Sequence, residues 1–315
     1  MATTLPIVMD VDSYDNQVLQ DLYDMFQTFA SLLYERTIEG YSINFYFREK
    51  IYQLVSSSNM IDDVGEKDRA VTLDICHQIF EGFQVRELQY ASDKSFLEVV
   101  HHVKAATYIL SEIARGKDLS EDMILKTHRL LTWGIDTEST AWEDCSGKYR
   151  KCPVRSGFHQ FMHEKKVPSA MRQMIGDYKA DVTKAIENGG IDPMALAAKY
   201  CHIFVNIHPF ASGNGRMSRL ILNAILFKFT CCIVALGQDD IDRDIYEHIV
   251  EDARCREELR DILDLEDVPE EFQPRNWRSL ANFTLKHALE SMQEMHQLGQ
   301  AFEDDSGMLY GLGLS

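Results

Sequence analysis

Residues 206–219 read NIHPFASGNGRMSR, and they bring together residue types that handle phosphate. Gly213 and Gly215 flank Asn214, so the backbone there can turn its N–H groups toward a ligand. A helix is predicted to start at this point, and the N-terminal end of a helix carries a partial positive charge that favours anions. The loop therefore has the composition of an anion site.

Two arginines and a histidine flank this loop. Arg216 and Arg219 stand three positions apart, so both guanidinium groups can project from one side of the first helical turn, where two such forks suit a polyphosphate. His208 precedes the loop, where an imidazole could take a proton from a hydroxyl group that attacks the phosphate. Taken singly, each residue is better explained by a solvated arginine or a core histidine. The combination indicates phosphoryl chemistry.

Composition limits the class of partner. Lys and Arg total 32 against 50 Asp and Glu in 315 residues, and the formal charge of -18 would repel nucleic acid and anionic lipid. The seven cysteines are irregularly spaced, and the N-terminus lacks the pattern of a signal peptide. Asn223 and Lys228 interrupt the most apolar stretch, which is interpreted as a core helix followed by a turn. We expect no nucleic acid, no membrane, and a location in the cytosol or nucleus.

Helical periodicity dominates the chain and predicts an all-α fold. The pattern predicts a helix that has its apolar face at 18–33 and ends near Gly40, further helices at 95–116, 120–134, 192–208 and 277–298, and one that begins around Gly215 and includes Phe227. Residues 147–157, GKYRKCPVRSG, are the one segment that suggests a short hairpin. The predicted units are an N-terminal helix at 1–45, a helical core at 46–262, a linker and helix at 263–300, and a loose tail at 301–315. The apolar stripe after Pro274 is interpreted as packing, with a homodimer contact as the alternative.

The segment HPFASGNGR, followed two residues later by Arg219, resembles the Fic-domain signature HPFx(D/E)GNGRxxR at every defined position except one. Three further segments, over roughly residues 30–260, resemble the same family. They are the flap hairpin with Gly147, Tyr149, Arg150 and Val154, the helix resumed at Pro168 and Met171, and the N-terminal inhibitory helix with Thr37, Ile38, Glu39 and Gly40.

The resemblance implies a Fic fold, a helical core with a short β-hairpin flap, and transfer of AMP from ATP to a Ser, Thr or Tyr hydroxyl of a target protein. By similarity His208 would be the general base, and the backbone of residues 213–215 would surround the phosphates. Arg216 would hold the β-phosphate and Arg219 the γ-phosphate. Phe210 would anchor the loop. The flap, with Tyr149, Arg150 and Val154, would hold the target.

Glu39 would regulate the site by pairing with Arg219 in competition with the γ-phosphate. The inhibitory pattern is (S/T)xxxE(G/N), and this chain has Glu35 where the family has Ser or Thr. The contact that supports the inhibitory helix is therefore absent from the pattern.

The family also expects Asp or Glu at Ser212 as the ligand of Mg²⁺. A hydroxyl there removes a full negative charge from the metal site, and metal affinity should fall. The alternatives are a weakened adenylyltransferase, an enzyme with different metal use, a catalytically silent nucleotide binder, and a hydrolase that removes AMP with the help of Glu39.

Overall fold

The computed structural model describes residues 6–10, 24–26, 28, 40–82, 93–137, 139–156, 159–262 and 274–311. Within these ranges the chain is mostly helical with one two-stranded hairpin, which confirms the predicted fold class. No helix there is long and apolar enough to cross a bilayer. The helices are α1 Gly40–Ile61, α2 Arg69–Phe80, α3 Lys94–Ala114, α4 Glu121–Thr132, α5 Trp142–Cys145, α6 Val167–Asn188, α7 Pro193–Ile207, α8 Asn214–Thr230, α9 Asp240–Ile262 and α10 Arg278–Gly311.

The two helices on either side of the phosphate-type loop form the centre of the fold. The Asp192 carboxylate caps α7 by accepting the N–H of Ala195 at 3.0 Å, and Pro193 occupies the first turn, as predicted. Every residue of α8 from Arg216 to Leu226 is buried. The most apolar stretch of the sequence is therefore a core helix, and the turn predicted after it begins at the left-handed Cys231, whose φ is 56°.

α3 and α4 form a second pair that packs against α8. Ser120 caps α4, since its hydroxyl oxygen accepts the N–H of Met123 at 3.3 Å. Asp93 caps α3 in the same way through the N–H of Phe96 at 3.3 Å. Both helices were predicted, and together they form one wall against which the loop is built.

α1 was not predicted. The pattern placed a helix end near Gly40, whereas Gly40 is the first described residue of a helix that continues to Ile61. The proposed unit boundary at residue 45 therefore falls inside a continuous helix. Of the helix predicted at 18–33, positions 24–26 and 28 are helical and the rest lies outside the described residues.

α10 is longer than predicted, because it continues to Gly311 where a loose tail was expected from residue 301. Gly299 and Gly307 lie past the predicted end of the helix at residue 298, and Gly311 ends α10. A single glycine costs a helix only about 1 kcal/mol, which does not end a long helix. The predicted apolar stripe is buried within the chain, which confirms its interpretation as packing. Its members are Leu280, Thr284, Ala288, Met292 and Met295.

The hairpin starts inside the predicted segment 147–157 and extends past its end. Strand β1, Arg155–Ser156, pairs antiparallel with strand β2, His159–Gln160. Residues 147–153 form no strand, because their side chains and backbone are bound to α4 and to the loop between α7 and α8. That attachment determines the geometry of the site.

Candidate active site

The loop between α7 and α8 is closed by the side chain of Asn214. Its Oδ1 accepts the N–H of Phe210 at 2.9 Å, and its Nδ2 donates to the Phe210 carbonyl at 2.9 Å. The resemblance placed Asn214 around the phosphates, but its buried side chain is used within the loop. Phe210 is fully buried, which confirms its predicted role as an anchor.

The N-terminus of α8 is open to an anion. Gly213 precedes the helix in the left-handed region, with φ of 73°, and no side chain of the described residues caps the helix there. The first N–H groups of a helix have no intrahelical partner. With no cap, they can donate to phosphate oxygens, assisted by the partial positive charge of the helix end.

His208 is held with one nitrogen ready to accept a proton. Its Nδ1 lies 3.2 Å from the carbonyl oxygen of Val205, so Nδ1 carries the hydrogen and Nε2 carries the lone pair. The ring stacks on Phe161, with centroids 3.7 Å apart. Burial lowers the pKa of His208 to about 4, helped by the nearby Arg150 and His159, and the Val205 hydrogen bond opposes this shift only in part. The imidazole is therefore neutral at pH 7.

Arg150 fixes the backbone around His208. Its Nε donates to the His208 carbonyl at 2.7 Å, and its own N–H donates to the Pro209 carbonyl at 2.9 Å. Nη2 donates to Met162 O at 2.6 Å and Nη1 to Cys152 O at 3.1 Å. The side chain of Arg150 is therefore buried and attaches the flap to the loop, and its predicted contact with a target stays a prediction.

The other two predicted flap residues differ from each other. The Tyr149 hydroxyl donates to Glu121 Oε1 at 2.9 Å, so it attaches the flap to α4 instead of facing a target. Val154 is partly exposed beside the hairpin, and its carbonyl accepts the N–H of Phe161 at 3.2 Å. Contact between Val154 and a target stays a prediction.

The Asp62 carboxylate, just past the end of α1, forms ion pairs with both arginines. Arg219 Nη2 donates to Asp62 Oδ1 at 2.6 Å, and Arg216 Nε lies 3.6 Å from Asp62 Oδ2. Arg219 also donates to Ser58, through Nε to the hydroxyl at 2.7 Å and through Nη2 to the carbonyl at 2.9 Å. Burial acts to lower the pKa of Arg219, but the interactions with Asp62 and Tyr246 together outweigh it, and the pKa lies above its ordinary value.

Glu39, the residue predicted for this position, lies outside the described residues. Asp62 was missed by sequence reasoning, although a signal was present. Ser58 and Asp62 keep the four-residue spacing of the inhibitory pattern, with Asp in place of Glu, whereas the segment around Glu39 has Glu35 in place of Ser or Thr. Gly215 permits the approach, since a Cβ there would lie 2.8 Å from Asp62 Oδ1.

Arg216 has unpaired hydrogen-bond donors. The residue is buried, and its Nε and Nη1 have no hydrogen-bond partner among the described residues. Burial lowers the pKa of Arg216, while Asp62 and Glu98 oppose that shift. A buried guanidinium with unpaired N–H groups is costly, and an oxyanion would satisfy them.

A cleft opens beside Asp62 and Arg219 toward α9. Its volume is about 640 Å³, which is within the range for small-ligand sites. Arg219 and Gly215 line one side, and Asp244 and Glu247 line the α9 side. The positive groups thus lie at the helix end, and the far side of the cleft carries negative charge.

Ser212 gives the loop no carboxylate for a metal. Protein-bound Mg²⁺ generally uses one or two carboxylates with substrate phosphates. Across the described residues, no group of three or more His, Cys, Asp or Glu side chains could hold a metal ion. Because Ser212 supplies no carboxylate, this loop does not fit a Mg²⁺ held there by the protein.

Comparison with known proteins gives consistent results. The model of the Fic/DOC family matches residues 118–226. A Fido domain-containing protein of Dictyostelium discoideum is 36% identical over 85 residues, 26% of this chain and 55% of that protein. The protein adenylyltransferase fic-1 of Caenorhabditis briggsae is 24% identical over 229 residues, 72% of this chain and 40% of that protein. The chain thus spans about half, or less than half, of the length of these curated relatives.

The fold is also similar to that of a solved Fic-domain structure. A crystal structure of a Fic domain containing signaling protein from Bacteroides thetaiotaomicron superposes with a TM-score of 0.66 at 16% identity, over 90% of this chain and 97% of that one. The loop from His208 to Arg219 lies inside the matched family region. The chain therefore contains a Fic domain over residues 118–226.

Proposed function

We propose that this protein transfers AMP from ATP to a Ser, Thr or Tyr hydroxyl of a target protein and releases pyrophosphate. One observation carries the proposal: Arg216 and Arg219 lie side by side at the uncapped N-terminus of α8, next to a neutral His208. This arrangement combines phosphate donors with a proton acceptor, which is what phosphoryl transfer requires of a protein.

Each residue has its own role in the proposed reaction. The N–H groups at the start of α8 and the two guanidinium groups bind the phosphates, and Nε2 of His208 takes the proton of the incoming hydroxyl. The hydroxyl oxygen then forms a bond to the α-phosphorus as the bond to pyrophosphate breaks. Arg150 keeps His208 in place through its carbonyl. The protein's contribution is positioning and electrostatic stabilisation.

We propose that Asp62 inhibits this reaction. Its carboxylate pairs with Arg219, which would otherwise meet the terminal phosphate. A phosphate must displace the carboxylate, so ATP binds weakly while Asp62 stays paired. Asp62 therefore takes the role that the sequence pattern assigned to Glu39.

A second candidate is a nucleotide binder without turnover, and Ser212 favours it. Without a carboxylate at that position the reaction lacks a protein ligand for Mg²⁺, whereas binding through Arg216 and the helix end is unaffected. Both candidates bind ATP, and only the first labels protein.

Transfer of α-labelled ATP to protein separates the two. We expect the Asp62→Asn variant to label itself or an added acceptor protein, and the same variant to gain thermal stability with ATP. Stabilisation without label selects the silent binder. If ATP neither stabilises nor labels, both candidates are wrong. All seven cysteines are free thiols, which supports the cytosol or nucleus as the proposed compartment and suits assays under reducing conditions.

A further inference from the structure

His128, in the middle of α4, lies between the base of the flap and the phosphate-type loop. Its ring is buried, and Nδ1 accepts the backbone N–H of Gly147 at 2.9 Å. Because an N–H can only donate, Nδ1 carries the lone pair and the ring hydrogen is on Nε2. Nε2 lies 3.1 Å from the carbonyl oxygen of Ser212 and donates to it. Both edges of the ring are therefore occupied by backbone groups from two different functional segments.

The bond to Ser212 determines the direction of an N–H group in the loop. A trans peptide holds its C=O and N–H on opposite sides of the chain, and the described residues contain no cis peptide bond. Since the Ser212 carbonyl points toward His128, the N–H of Gly213 in the same peptide points away from α4. That N–H immediately precedes the uncapped start of α8.

Three further contacts hold the ring and the base of the flap in place. The ring stacks on Phe210, with centroids 3.6 Å apart and planes 5° from parallel. Gly147 lies so close to α4 that a Cβ there would be 2.7 Å from Cβ of Arg129. One residue earlier, the Ser146 hydroxyl is bonded to Thr132 at 2.9 Å.

We propose that His128 is a positioning residue that holds the base of the flap and the Ser212–Gly213 peptide in one fixed relation. Through Gly147 it places the segment that aligns the target, and through Ser212 it orients a donor to the phosphate. The inference rests on the proposed function for the identity of the anion. The two hydrogen bonds can be tested without it.

Two substitutions separate the two bonds. An asparagine amide reaches the place of Nδ1, so His128→Asn keeps the bond to Gly147 and loses the bond to Ser212. A glutamine amide reaches the place of Nε2, so His128→Gln keeps the bond to Ser212 and loses the bond to Gly147. Thr132→Val is the matched control, because it removes a buried hydrogen bond between α4 and the flap base but keeps the methyl group that lies near Gly213 and leaves the His128 bond to Ser212 in place.

The variants are compared in the Asp62→Asn background with inorganic pyrophosphate as the probe, by calorimetry. We expect His128→Asn to weaken pyrophosphate binding at least about tenfold, and His128→Gln and Thr132→Val to change it less than about threefold. Hydrogen exchange of the Gly147 amide should accelerate in His128→Gln and not in His128→Asn.

Equal losses of affinity in His128→Asn and His128→Gln, following their melting temperatures, would show that His128 is only a core residue and overturn the inference. If the Asp62→Asn parent does not bind pyrophosphate, the proposed function fails. In that event the amide exchange decides: faster exchange in His128→Gln alone supports the tie to the flap, and equal exchange refutes it.

Discussion

Arg219 of α8 and Asp62 at the end of α1 are joined by a hydrogen bond of 2.6 Å, in a place where only 2% of the Arg219 residue is exposed. An exposed pair of this kind contributes little, but a buried one cannot be broken without leaving a charge unpaired. The pair therefore holds Arg219 until a group of equal charge takes the place of Asp62. A terminal phosphate is such a group.

Removing that carboxylate should strengthen ATP binding. We expect Asp62→Asn to lower the dissociation constant for ATP at least about tenfold, since a charged hydrogen bond contributes about 1.5–3 kcal/mol. Calorimetric titration measures this. Asp63→Asn is the matched control, because Asp63 lies in the same turn with its side chain 92% exposed. Equal affinities in the two variants would remove Asp62 from the regulation of the site.

The same substitution should lower stability in the absence of nucleotide. Asp62→Asn leaves the Arg219 charge buried without its counterion, at a cost of about 3–5 kcal/mol. ATP should restore much of the loss by supplying a negative charge. Thermal unfolding with and without ATP measures both effects. An Asp62→Asn protein that melts like the parent and gains nothing from ATP would contradict this prediction.

The reaction should be nearly independent of pH across the neutral range. The pKa of His208 lies at about 4, below its ordinary value of about 6.5. The neutral ring is the base, so the rate should fall by half only as the pH drops to about 4. The pH profile of transfer by Asp62→Asn tests this.

His159 supplies the control for that profile. Its charge helps to lower the pKa of His208, so His159→Gln should move the midpoint upward. A midpoint near pH 6.5 in Asp62→Asn, unmoved by adding His159→Gln, would mean that the environment of His208 does not tune the base.

Restoring a carboxylate at the loop should increase metal-dependent transfer. In the Asp62→Asn background, Ser212→Asp should raise the rate in Mg²⁺ at least about tenfold, because hard cations prefer charged oxygen ligands. Ser212→Asn keeps the size without the charge and serves as the comparison. Equal transfer rates with Ser212→Asn and Ser212→Asp would contradict this prediction.

Arg150 should matter for stability as well as for activity. Lysine has one nitrogen where Arg150 uses three, so Arg150→Lys should lose at least two charged hydrogen bonds and about 2–4 kcal/mol of unfolding free energy. Arg155→Lys, on the exposed strand β1, should change it by less than about 0.5 kcal/mol. Urea denaturation of the two variants gives the comparison, and similar curves would contradict the buried role of Arg150.

Much of the helical frame could be predicted from the sequence. Local signals were sufficient for α4 and α7, because a capping side chain marks the start of each. For α8 the glycine loop marked the start and the apolar stretch marked the body of the helix. The glycines and arginines of the loop also lie within one short segment, so their grouping needed no tertiary information.

The rest depends on contacts between distant segments. Asp62 contacts Arg219 only because α1 packs against α8. The segment from Ser58 to Asp62 also has Asp where the inhibitory pattern has Glu. Arg150 lies in a polar segment that suggests an exposed hairpin, and its burial follows from carbonyls contributed by three separate parts of the chain. His128 gave no local signal, since both of its partners are backbone groups far along the sequence.

The most direct measurement is transfer of α-labelled ATP to protein by Asp62→Asn, compared with the double variant Asp62→Asn and His208→Ala. The account predicts label from the first and a loss of at least about a hundredfold in the second, with ATP affinity unchanged, because His208 acts on the hydroxyl and not on the nucleotide. Equal labelling by both, or no labelling by a protein that binds ATP well, would contradict the proposed transfer.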